Sequence, residues 1–366
     1  MTPQERVLSA LDGSRPDRMP VFDCFWPEFR DKWIREMGLN DDAYPEDYYG
    51  IDIEICVPDE SPYPSWRQTL REDGREKIER DGYGRTARSR EGAHFREYLE
   101  HTIQTPEDLD RHPFDPVAND TRYQEFLGVV GRNRQKRCCF CKVGGPYLRT
   151  SFLRGTTAFL MDIASDTEFA KAIATRMGDF LTAIGLESLK RSDLYDTGIW
   201  IYDDLAYNDN PMFSPKVFEE IFLPIYRKMV WSFKGAGARR VILHSDGNIA
   251  PLLDMLVDAG IDGINPVEPK AGLDVVTLKR QYGDHLAFVG GMCNARVLPG
   301  ESIEEITRET LRIVEAGSDG GIVIGSHSIG EDVPVENYEC YLHTVRLEGR
   351  FDGGSPESLD ARSDNG

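Results

Sequence analysis

The 366-residue chain has no apolar run long enough to cross a membrane. Its longest, around Leu286–Cys293 and Gly321–Gly325, fall well short of the roughly 18 residues a span requires. Its opening, Met-Thr-Pro-Gln-Glu-Arg, lacks the apolar core of a signal peptide, so a cytoplasmic location is expected. A disulfide framework is missing too, because the seven cysteines are odd in number and scattered, apart from the adjacent Cys138 and Cys139. Positive charge is the minority: 43 Lys and Arg against 63 Asp and Glu leave a net −20, which argues against nucleic acid as a partner. The cluster Arg132, Arg134, Lys136 and Arg137 could hold a phosphate, but its simpler reading is a solvated face ahead of a strand. No glycine-rich fingerprint opens a helix after a strand, which removes the main reason to expect a nucleotide-binding sheet, and no internal repeat is present.

What is there, from about residue 196 onward, is an alternation of short β-branched runs with amphipathic helical patterns, the signature of βα units. Strands are expected at Gly198–Asp203, Arg240–His244, Ile261–Asn265, Leu286–Gly290 and Gly320–Gly325, with two earlier ones at Arg18–Phe25 and Arg137–Val143. Between them, Ser214 and Pro215 open a helix that Pro224 bends or restarts, and Ile249, Leu252, Leu253, Leu256 and Val257 mark one buried helical face. Ser302-Ile303-Glu304-Glu305 is a capping box ahead of a helix burying Ile303, Ile306, Thr310, Ile313 and Val314. Seven or eight strands favour a (β/α)₈ TIM-type barrel forming a single domain over 1–350. Residues 60–115 depart from the pattern, and the Asp73-Gly74 turn signal reads as an inserted, charged β-hairpin. Residues 351–366 are polar and apolar-poor, which predicts a disordered tail.

In such a barrel the chemistry sits where strands end and βα loops begin. Asp23, Asp203, Asp204, His244, Asp246, Asn265, Glu268, Cys293 and His327 all fall there. His244 and Asp246, two apart in extended chain, share a face, and with His327 they form a His/Asp/His set with an open position, typical of catalytic Zn²⁺. The plain alternative makes His244 a strand-end residue and Asp246 a helix cap. Cys293 is either a soft fourth ligand or a buried inert thiol. Asp203-Asp204 offers an acid/base carboxylate and a second that caps the following loop, or simply a capped turn.

Several segments, taken together, resemble the uroporphyrinogen decarboxylase-like superfamily. They are MTPQERVLSALDGSRPDRMPV, GPYLRTSFLRG from Gly145, IYDDLAYNDNPMFSP, HSDGNIAPLLDMLVDAGIDGINPVEP with LDVVTLKRQYGDHLAFVGG, and GSHSIGEDVPVENY. The resemblance implies a (β/α)₈ barrel and two branches, porphyrinogen decarboxylases and cobalamin-linked methyltransferases that use Zn²⁺. The decarboxylase branch has an Arg-rich segment after the first strand, where this chain reads DCFWPEFR with Asp23 and only Arg30. The methyltransferase branch carries His-x-Cys and a later Cys, where this chain has His244-Ser245-Asp246 and Ser326-His327, a harder ligand set. The resemblance therefore implies methyl transfer from a small O- or N-methylated compound to a corrinoid cofactor, carried by a separate corrinoid protein. The alternative on the same barrel is a decarboxylase or other lyase, or a metal-assisted hydrolase, of a small acid. Under the first reading His244, Asp246 and His327 bind the metal or, failing that, the substrate's leaving heteroatom, and Asp203 or Asp204 positions substrate or supplies a proton. Asp23, Asn265 and Glu268 would line the mouth, with Phe25, Trp26 and Tyr207 as apolar walls. A homodimer is the base expectation.

Overall fold

The computed structural model describes residues 1–91 and 96–351, so the expected tail lies outside the described residues apart from Phe351. By its internal contacts the chain divides into two compact units, Glu54–Ile264 and Met1–Ile53 with Asn265–Gly366. Among the described residues no helix is long and apolar enough to cross a membrane.

The unit Glu54–Ile264 begins at β1 (Ile53–Cys56) and next forms a four-stranded antiparallel sheet of β2 (Gln68–Glu72), β3 (Glu76–Arg80), β4 (Thr86–Arg90) and β5 (Glu97–Glu100). Asp73-Gly74 does turn β2 into β3, with Gly74 at φ 85°. The expected hairpin is thus half of a larger sheet. The second turn escaped the sequence reading because Asp81 builds it with its side chain, accepting from the backbone N–H of Tyr83 and Arg85 and pairing with the Arg85 guanidinium.

The α/β part of this unit follows with β6 (Cys138–Gly144), β7 (Gly198–Tyr202), β8 (Arg240–His244) and the start of β9 (Gly263–Val267), in hydrogen-bonded order β1-β6-β7-β8-β9. β6 pairs β7 and β7 pairs β8 in parallel. Gly198, at φ 116°, is required here, since a Cβ would strike the Arg240 backbone. The 26-residue helix Thr167–Ser192 is N-capped by Asp166 and buries Phe169, Ile173, Met177, Leu181 and Ile184, a three-to-four spacing that turns one stripe inward. At Pro224 the α-helix restarts, with the proline in the first turn of Leu223–Gly235. The segment Pro215–Gly235 passes through a π-type turn at Phe218–Phe222, and the wider turn accommodates the donor that proline lacks.

The other unit holds the remainder of β9, then β10 (Ala287–Gly291) and β11 (Ile322–Gly325), the last two paired in parallel. The strand expected at Arg18–Phe25 is not a regular strand. It makes isolated bridges, Val21 to Ile324 and Phe25 to Ile329 in parallel and Arg18 to Arg350 antiparallel. Pro20 has no N–H to give a ladder, and the N–H of Val21 is taken by the buried carboxylate of Asp52, which also pairs with Arg6 and Arg18. The capping serine of the helix Ile303–Ala316 accepts from Glu305 N–H, and Ile306, Thr310, Ile313 and Val314 are buried as expected. Ile303 is the exception at 38% exposed, because the first helical position faces outward from the cap. Seven strands therefore build the α/β part of the chain among the described residues, with the first expected strand reduced to bridges.

Candidate active site

In the unit Glu54–Ile264 the polar side chains gather at the C-terminal ends of β6, β7 and β8. Strand register sets Gly144, Tyr202 and His244 in one row across the three strands. The rings of Tyr202 and His244 stack with centroids 4.0 Å apart at 10°. This stacking fixes the plane of the imidazole. His244 Nε2 lies 3.4 Å from Asp246 Oδ1. Two ligands bound at about 2.0–2.1 Å and separated by a tetrahedral angle stand about 3.3–3.4 Å apart, so this pair has the spacing of two ligands on one ion. At the start of the following helix, Asn248 Oδ1 accepts from the backbone N–H of Ala250.

Asp203 and Asp204 divide their work. Asp203 is wholly buried and accepts from Tyr147 N–H at 3.1 Å, Leu148 N–H at 2.5 Å and the Tyr226 hydroxyl at 2.7 Å. It therefore clamps the first turn of the helix Pro146–Arg154 to the end of β7. Asp204 faces the pair instead. Burial, then the charge of Asp246, holds its carboxyl above the ordinary range, with His244 and the Asp246 N–H opposing. Tyr207, expected as an apolar wall, is 70% exposed.

Sequence reasoning missed the charged group beside this row. Glu60 is buried and accepts from Lys142 Nζ at 2.6 Å, Arg149 Nε at 2.6 Å and Gly144 N–H at 2.5 Å. Burial pushes the Glu60 carboxyl up, but Arg149 and Lys142 outweigh it and hold it below its usual range. For Lys142 burial prevails over Glu60 and lowers the ammonium. Lys142 also stands 5.4 Å from the Tyr202 ring centroid. The glycine pair before Pro146 makes this possible: a Cβ on Gly144 would occupy the place of the Arg149 side chain, and one on Gly145 that of the Asp203 carboxylate. Two signals were present in the sequence, a lysine inside the apolar strand CCFCKVG and the Gly-Gly-Pro that follows it.

The second unit, taken by itself, presents Glu268 after β9 and His327 after β11. His327 Nδ1 lies 3.6 Å from Glu268 Oε1, and Lys270 Nζ lies 2.9 Å from the same oxygen. Asn265 is buried and donates to the Val289 carbonyl at 3.2 Å, and Cys293 is buried. Phe25 packs against Phe29, Tyr49 and Tyr338 at centroid distances of 5.6, 6.3 and 5.3 Å, whereas Trp26 is 47% exposed.

Asp23 is buried and accepts from Ser326 N–H at 2.7 Å, Ser326 Oγ at 2.8 Å and the Tyr338 hydroxyl at 3.1 Å. Burial pushes its pKa up to about 7, against those hydrogen bonds. Between about pH 4 and 7 the folded chain thus keeps a proton that the unfolded chain has released, so this contribution to stability is full below about pH 4 and is lost as pH rises through 7. Asn mimics the neutral acid, keeping the oxygen for Ser326 and offering an N–H to Tyr338. Asp23→Asn is expected to flatten the fall in melting temperature between pH 4.5 and 7.5. An unchanged slope would mean that Asp23 is ionised throughout.

The model of the uroporphyrinogen decarboxylase family matches residues 86–347, and the chain belongs to that family. Among solved structures it is similar to a methyltransferase from Methanosarcina mazei, with 17% identity over 94% of this chain and 98% of that one, at a TM-score of 0.66. At that identity the likeness concerns the fold. The endo-1,4-beta-xylanase XylE of Penicillium canescens aligns at a TM-score of 0.37, with 10% identity over 63% of this chain and 80% of that one, too weak a likeness to bear on either fold or function. No curated protein matches.

Proposed function

We propose that this protein is a methyltransferase that takes a methyl group from a small O- or N-methylated compound and passes it to a corrinoid cofactor on a separate corrinoid protein. The reading includes closure of the strands into a (β/α)₈ barrel, with His244, Asp246 and His327 holding one Zn²⁺ and Cys293 offered as a further ligand. The observation that carries it is the His244–Asp246 pair, at ligand spacing on a strand end of a family fold that a methyltransferase shares. The metal, when bound, would supply Lewis acidity toward the ether or amine heteroatom.

The chain's own residues do the rest. Tyr202 keeps the imidazole of His244 in plane. Asp204 stands ready to give a proton to the departing heteroatom, while Asp203 holds the helix Pro146–Arg154 in position. Decarboxylation of a tetracarboxylate is disfavoured by Arg30, the one arginine in the segment after Asp23. Its guanidinium is committed to the Ala43 and Asp41 carbonyls and lies over the Tyr44 ring.

Elemental analysis is expected to find about one Zn²⁺ per chain. The loaded protein is expected to demethylate at least one member of a panel of methyl ethers and methylamines in the presence of cob(I)alamin. Absence of metal after Zn²⁺ is supplied, or no methylcobalamin from any panel member, would overturn the reading.

A further inference from the structure

The Glu60 cluster has a charge imbalance that its own hydrogen bonds do not resolve. One carboxylate accepts from two buried cations, and the carboxylates of Asp203 and Asp204 act on those cations only at longer range, without a hydrogen bond to them. Lys142 spends its short contact on Glu60, and Arg149 spends only Nε there. Nη1 and Nη2 of Arg149 make no hydrogen bond among the described residues, although Arg149 as a whole is 9% exposed. The guanidinium is thus anchored on one side, and its free Nη1/Nη2 edge reaches solvent, where a carboxylate can satisfy it with two parallel bonds.

Arg149 is also held rigidly. Its side chain fills the space above Gly144, the residue that shares a row with Tyr202 and His244, and its guanidinium lies 5.0 Å from the Phe152 ring centroid. The Phe152 ring also meets Arg85, at 4.4 Å. Arg85 is already paired with Asp81, so it does not compete for the same anion.

We propose that Arg149 is an anion-binding residue of the site, and that the methylated substrate carries one carboxylate, which takes the Nη1/Nη2 edge while the methyl-bearing heteroatom lies toward His244. The placement of the heteroatom toward His244 rests on the methyl-transfer reading; the anion subsite stands on Arg149 itself. A single spare cationic edge fits a monoacid, in keeping with a chain whose net charge of −20 would repel a polyacid.

The test compares acids with their own amides: methoxyacetate, 4-methoxybenzoate and N,N-dimethylglycine against the three corresponding carboxamides, by calorimetric titration into the purified protein without corrinoid. At least one acid is expected to bind about tenfold to a hundredfold more tightly than its amide, the worth of a charge-assisted pair of hydrogen bonds. Arg149→Lys keeps a cation against Glu60 but loses the fork, and is expected to remove most of that preference while its melting temperature stays within a few degrees of the parent. Arg149→Met, which removes the cation, is the control for charge. No binding of any of the three acids, equal affinity for acid and amide, or a preference that survives in Arg149→Lys would each overturn the proposal. The two readings fail separately. An acid that binds through Arg149 but is never demethylated counts against methyl transfer alone, and demethylation of amide and acid with equal affinity counts against the anion subsite alone.

Discussion

Glu60→Ala is expected to lower the melting temperature by roughly 10 °C. The carboxylate accepts from two buried cations and from the Gly144 N–H, so its removal leaves Lys142 and Arg149 facing each other with no hydrogen-bonded counter-charge. Breaking a buried ion pair from one side costs about 3–5 kcal/mol, and each kcal/mol moves the midpoint of a domain of this size by about 2–4 °C. Most of that cost is the stranded charge rather than the lost bonds. A second substitution therefore separates the two: adding Lys142→Met to Glu60→Ala reduces the uncompensated cations from two to one and is expected to recover part of the loss. Calorimetric unfolding of the parent, single and double variants reads this directly. A single variant within about 1 kcal/mol of the parent, or a double variant less stable than the single, would mean that water already solvates the cluster.

That cluster also marks how far the sequence could be read. βα alternation located β7, β8, β10 and β11 within a residue or two, because each is an uninterrupted apolar run between helix signals and no long-range information is needed to see it. β9 runs from Gly263 to Val267 rather than from Ile261, since the apolar pattern continues through Pro266 and Val267 and the run has no sharp edge at either end. The first strand dissolved into bridges because Asp52, some thirty residues downstream, supplies the acceptor for Val21, a partnership that no local pattern encodes. At the site, His244 and Asp246 could be paired from their spacing of two in an extended segment, which is a local property. Glu60 could not be joined to Lys142 and Arg149, because the contact spans more than eighty residues in the chain and crosses the four-stranded insertion. What the sequence did offer was a lysine in an otherwise apolar strand, a residue that is almost never buried without a partner. The division between Asp203 and Asp204 was likewise open until the helix Pro146–Arg154 was seen to end on one of them.

His244→Ala is expected to remove bound Zn²⁺ and to reduce methyl transfer by about a thousandfold or more, while leaving the chain folded. The imidazole is buried at 9% exposure and stacked on Tyr202, so its loss has a structural cost as well as a chemical one. Truncating a partly polar buried ring of this size costs about 2–3 kcal/mol. That cost would lower the melting temperature by several degrees, well short of unfolding at assay temperature. A thousandfold rate loss corresponds to about 4 kcal/mol of transition-state stabilisation, more than the packing loss can supply even if all of it were felt at the site. His244→Gln sharpens the comparison. It keeps most of the volume against Tyr202 and a polar atom toward Asp246, but its amide is a poor ligand beside imidazole. If the role is to bind metal, both variants lose zinc and turnover, although only the alanine variant loses stability. If the role is to support the strand end, Gln restores both activity and melting temperature together. Metal content, turnover and unfolding measured on the same preparations decide between these outcomes, and parallel loss and recovery of all three would assign His244 to the fold rather than to the chemistry.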